Sequence, residues 1–120
     1  MTKVLLVEDD PGMRFVMSET LREAGLEPVV AGVERAPALA AELPAALIVA
    51  SLTTAAYDNE PLYKALRADP RTKDIRLLLC TGRGEGTIRR SLGERPPFVL
   101  FKPFTVEQFA AAVKAALTAP

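Results

Sequence analysis

Three short polar groups in this 120-residue chain each follow an apolar run directly, which is where chemistry collects in a sheet protein. Glu8-Asp9-Asp10 follows Val4 to Val7, Thr81-Gly82 follows Arg76 to Cys80, and Lys102-Pro103-Phe104 follows Phe98 to Phe101. Three adjacent carboxylates repel one another, and two arrangements relieve this. A hard cation such as Mg²⁺ takes one or two carboxylates together with water and phosphate oxygens. A helix N-terminus takes an acid as its cap, and Asp10 is the candidate for that role. Lys102, ahead of a proline, has the charge to act as counterion to the acids and offset their repulsion. Thr81 adds a hydroxyl. The chain has no histidine, so the commonest general base and the commonest zinc ligand are both missing.

The elements that would carry these groups alternate strictly. Apolar runs at Val4 to Val7, Glu27 to Ala31, Leu47 to Leu52, Arg76 to Cys80 and Phe98 to Phe101 read as strands. Between and after them, helical spacing predicts helices from Pro11 to Ala24, Val33 to Leu43, Pro61 to Ala68, Thr87 to Leu92 and Thr105 to Leu117. Pro11 suits a first turn, Gly25 a C-terminal stop and Thr105 an N-cap. Five βα units with short connections imply an α/β fold. The prediction is a flavodoxin-like, doubly wound, five-stranded parallel sheet of order 2-1-3-4-5, forming one domain over residues 1–120. Sites in such sheets lie at the carboxyl ends of the strands, where all three polar groups fall.

Taken together, Val-Leu-Leu-Val-Glu-Asp-Asp-Pro-Gly-Met-Arg (residues 4–14), Thr81-Gly82 and Lys102-Pro103-Phe104, at these spacings, resemble the CheY-like receiver domain of two-component response regulators. The resemblance spans essentially the whole chain. It implies that Glu8 and Asp9 correspond to the family's Mg²⁺-binding acid pair, that Thr81 is the hydroxyl contacting the phosphoryl group, that Lys102 is the bridging lysine, and that Lys102-Pro103 is cis. It also implies a signalling role without enzymatic activity, with a histidine kinase or an attached output domain as partner.

The third strand departs from the family pattern. Counting five on from Ala46, or seven back from Asp58 of the Asp58-Asn59 pair, gives Ser51 as the acceptor position. The usual loop proline is Ala55. A serine hydroxyl is a poor nucleophile without an adjacent base, and it removes one anionic metal ligand. Mg²⁺ is therefore expected to bind weakly at Glu8 and Asp9, with no cofactor required. Val99 stands where the family often has a switching aromatic, and its β-branched side chain has few rotamers. Phe98 and Phe101 are expected to face the other way and to pack.

Charge points to a surface. Residues 67–95 carry eight basic against four acidic side chains in a chain of zero formal charge, with Arg83, Arg89, Arg90 and Arg95 around the fourth helix beside Gly82, Gly84 and Gly86. The zero total gives no support for direct nucleic-acid binding. No run approaches the ~18 apolar residues of a membrane span, and Met1 onward does not resemble a signal peptide. The lone Cys80 in an apolar run reads as a small buried hydrophobe, compatible with a reducing, cytoplasmic setting.

Three readings follow. The leading one is an atypical receiver acting as a phosphorylation-independent interaction module, with homodimerisation left open. The second is a receiver switch phosphorylated on Ser51, Thr53 or Asp58. The third is a flavodoxin-like enzyme or nucleotide binder, which the missing phosphate-binding glycine turn disfavours.

Overall fold

The structure is a computed structural model that describes residues 1–52 and 59–120. Thr53, Ala55 and Asp58 lie outside the described residues. The elements alternate as β1 (Lys3–Glu8), α1 (Pro11–Glu23), β2 (Glu27–Val30), α2 (Ala36–Glu42), β3 (Leu47–Ser51), α3 (Asn59–Ala68), β4 (Arg76–Thr81), α4 (Glu85–Leu92), β5 (Phe98–Phe101) and α5 (Val106–Thr118). All strand pairs are parallel, in the order β2-β1-β3-β4-β5, as the sequence pattern predicts.

Period-two alternation along the three central strands sorts their side chains onto two faces. Val4, Leu6, Leu47, Val49, Leu78 and Cys80 pack against Met17 and Leu21 of α1 and Phe109, Val113 and Ala116 of α5. Leu5, Val7, Ile48, Ala50, Leu77 and Leu79 pack against α2, α3 and α4 through Ala36, Ala40, Leu62, Leu66 and Ile88. Strands buried on both faces need continuous apolar runs, which is why β1, β3 and β4 read so plainly in the sequence. Each fully buried Leu or Val contributes about 1.5–3 kcal/mol, so these two layers dominate the stability.

The helix ends follow their local chemistry. Asp10 has extended backbone and its carboxylate accepts the Met13 amide at 2.8 Å, so it is the N-cap of α1. Gly25 ends that helix at φ 79°, where a Cβ would be strained. Thr105 and Gln108 form a reciprocal capping box on α5. At the far end of α5, Arg76 of β4 donates to the Ala116 and Leu117 carbonyls, placing a cation at the negative pole of the helix.

Three helix starts differ from the sequence reading by two residues or more, and one of them is α3, which begins at Asn59 and not at Pro61. α2 starts at Ala36 and not at Val33, because a helix begun at Val33 would set the Pro37 ring against the Val33 carbonyl. α4 starts two residues earlier than predicted, with Gly84 at the N-cap and Glu85 in the first turn, where its charge favours the helix pole.

Candidate functional site

The carboxyl ends of β1, β3 and β4 converge. Register pairs Glu8 with Ser51 across β1 and β3. Both side chains are buried, and the Ser51 hydroxyl donates to Glu8 Oε1 at 2.9 Å. Glu8 Oε2 accepts the Asp10 amide at 3.0 Å. Both carboxylate oxygens of Glu8 thus have a donor from this chain. Burial pushes the Glu8 carboxyl above the usual carboxylate range. The Asp10 amide, the Ser51 hydroxyl and the charge of Lys102 oppose that rise, while a side-chain hydrogen bond with Asp9 adds to it.

Thr81 ends β4, buried, and its hydroxyl oxygen accepts the Arg83 amide at 3.1 Å. The Lys102 amide donates to the Thr81 carbonyl at 2.7 Å, tying the turn after β5 to the end of β4. The Lys102-Pro103 bond is cis. The expected pairing of Lys102 with the acids is not made as a hydrogen bond: its ammonium nitrogen is buried without a hydrogen-bond partner. Its charge still acts at a distance, lowering the pKa of Glu8 and of Cys80. Glu8 meets its donors from Ser51 and the Asp10 amide instead.

Asn59, which the sequence reading uses only as half of a register marker, joins this framework. It is buried at the start of α3, accepts the Leu52 amide at 3.0 Å and donates to the Cys80 carbonyl at 3.3 Å. It ties the end of β3 to β4. Its one sequence signal is an amide side chain where the family pattern has glycine. Among the described residues, no three His, Cys, Asp or Glu side chains converge as a metal site.

No family model matches the sequence. The chain is 28% identical over 116 residues to a probable chemotaxis protein CheY of Rhizobium etli, covering 94% of this chain and 90% of that protein. It is 32% identical over 120 residues to the DNA-binding dual master transcriptional regulator RpaA of Synechocystis, covering 98% of this chain and 49% of that longer protein. The solved structure of the chemotaxis response regulator CheY4 of Vibrio cholerae superposes with a TM-score of 0.82 at 26% identity, over 98% of this chain and 99% of that one. The chain has the flavodoxin-like CheY fold, and its sequence is similar to those of CheY-like response regulators.

As in the sequence reading, Cys80 is a buried core residue, and its thiol is pushed up to about 12 by burial, which makes it inert. Val99 packs partly buried against the layer that contains Ile88. Phe98 lies on the opposite side, as expected. Phe101 corrects the expectation: two residues from Val99, it shares Val99's side of the strand by alternation, and it is 39% exposed.

The arginines around α4 lie on the surface, but acids thread between them. Arg95 pairs with Glu85, Arg89 lies 3.8 Å from the same carboxylate, and Arg90 donates to Thr87. Arg83 acts electrostatically on Glu60. A polar seam fastens α4 to α3: the Ser91 hydroxyl donates to Glu60, and the Tyr63 hydroxyl donates to Glu94. The net positive count of this region therefore overstates its free charge. Gly82 and Gly84 have ordinary negative φ, so the turn before α4 does not require glycine. No helix among the described residues is long and apolar enough to cross a membrane.

Proposed function

We propose that this receiver domain of two-component signalling works without aspartyl phosphorylation, as a protein-interaction module. The observation that carries the reading is the Ser51–Glu8 pair. At the acceptor position counted from the sequence stands a fully buried hydroxyl that donates to a neighbouring carboxylate. A hydroxyl in that place cannot form an acyl phosphate, and its proton is committed to Glu8.

Mg²⁺, which the family resemblance implies, fits this donor set poorly. Glu8 has both oxygens engaged by donors of this chain, burial raises its pKa, and the third position offers a hydroxyl in place of an anion. Asp9 would be left as the main ligand, so weak binding is expected and no step of the mechanism depends on it.

Receiver domains act on histidine kinases and output domains, and the exposed arginines of α4 are the proposed contact. Arg89 and Arg90 are both exposed there, and an arginine offers bidentate pairing to an acidic partner. A ligand shifts only states that it distinguishes energetically, so a module without a phosphoryl switch presents this surface constitutively. The test is binding to the cognate kinase or output domain by calorimetry. Changing Arg89 and Arg90 together to Glu should weaken binding by about tenfold or more, and Ser51→Ala should change it little. Loss of binding in Ser51→Ala with the charge reversal intact would place the signal in the Ser51 site and overturn the reading.

A further inference from the structure

A second opening lies beside the Ser51 site and shares Glu8 and Asp9 with it, but neither Ser51, Thr81 nor Lys102 lines it. It is a cavity of about 340 Å³ over the carboxyl ends of β1 and β2, within the size range of small-molecule pockets. Val7 and Leu52 lie on the two sides of the point where strand order reverses, and open α/β sheets favour ligands at that point. Val30 and Val33 add an apolar wall, and Val30 is 45% exposed, an unusual position for a strand valine with no partner.

Two opposite charges border this apolar surface, one from each side. Arg14 enters from α1, and its guanidinium reaches the Glu8 carbonyl only at 3.5 Å, the outer limit of a hydrogen bond. Among the described residues it makes no ion pair with a carboxylate. Glu34 enters from the turn between β2 and α2. Its carboxylate lies over Gly32, so that a Cβ there would come within 3.5 Å of Glu34 Oε2, and it too has no ion-pair partner. Arg14 and Glu34 line the same cavity, so a ligand that fills it meets both charges.

We infer that this cavity binds a small zwitterion, an α-amino acid with an aliphatic side chain. Its carboxylate pairs with Arg14, its ammonium with Glu34, and its side chain covers Val30, Val33 and Leu52. The charge pattern selects the class. A simple anion would meet Arg14 but be repelled by Glu34 and Asp9, and a simple amine would meet the acids but leave Arg14 without a counter-charge. The inference does not depend on whether the domain is phosphorylated. It supplies a ligand input at the same end of the sheet.

The experiment is an amide NMR titration of the intact chain with L-leucine, L-isoleucine and L-valine, and with 4-methylpentanoate and 3-methylbutylamine, which each keep one charge of leucine. At least one amino acid should give saturable shifts at residues 30–34 and 9–14 with a Kd of about 1 mM or tighter. The two single-charge analogues should bind at least about tenfold more weakly, as should the amino acid to Arg14→Gln and to Glu34→Gln. Both variants should keep the wild-type spectrum away from the cavity, since neither side chain is part of the core. No saturation by any amino acid up to about 10 mM would overturn the inference. So would equal responses to zwitterion and single-charge probes, or affinity unchanged in both variants.

Discussion

The two halves of the carboxyl edge are built on opposite terms. On the β1–β3 side every polar group has an answer: Ser51 donates to Glu8, the Asp10 amide donates to Glu8, and Asn59 bridges Leu52 and Cys80. On the β5 side Lys102 is held by its backbone bond to Thr81, yet its buried ammonium has no acceptor. A buried carboxylate that finds donors tolerates its position. A buried cation without acceptors gains nothing from its own. The difference teaches that the acid half has closed upon itself, while the lysine half, with its cis Lys102-Pro103 bond, holds an ammonium that meets no hydrogen-bond acceptor among the described residues.

The comparison predicts a ranking of stabilities. Asn59→Ala should have the largest effect. It orphans the buried Leu52 amide and Cys80 carbonyl, each worth roughly 1–3 kcal/mol, for a total loss of about 2–4 kcal/mol in urea unfolding. A loss under roughly 0.5 kcal/mol would mean that the β3–β4 bridge is not structural.

Ser51→Ala should cost less, about 1–2 kcal/mol near neutral pH, because it leaves Glu8 Oε1 without its donor. The cost should depend on pH. Glu8 has a raised pKa in the folded state, so above its ordinary value the folded protein holds a proton that the unfolded chain has released. Stability therefore falls as pH rises through that window. Removing the Ser51 hydroxyl removes an interaction that opposes the rise, so the penalty should grow from pH 4 upward to neutrality. Denaturant titrations of both proteins across that range would measure it, and a penalty that shrinks with pH would contradict the Glu8 assignment.

Lys102→Met should have the smallest effect, within about 1 kcal/mol of wild type or stabilising, because it replaces an unanswered buried charge by apolar volume. A loss of about 3–5 kcal/mol would show that Lys102 is held in an ion pair after all.

The fold was legible because β1, β3 and β4 are apolar on both faces and leave few alternatives once five βα units alternate. The caps at Asp10 and Thr105 were legible because capping is local chemistry. Side-chain partnership at the site was not. Opposite charges at one sheet edge suggest a Lys102–acid pair, but Glu8 takes its hydrogen bonds from a serine and a backbone amide. Asn59 was passed over for the same reason, since nothing local marks an amide that bonds to strands 7 and 21 residues away. The arginine cluster was visible as composition, whereas its neutralisation by Glu85 depends on how α4 and the segment after it are brought together.

The most direct test of the central claim is intact mass spectrometry of the purified chain after incubation with acetyl phosphate and Mg²⁺. With a hydroxyl at position 51 committed to Glu8, the mass should be unchanged. A stoichiometric phosphoryl adduct would contradict the account, because it would show that this chain still accepts the signal it is proposed to have lost.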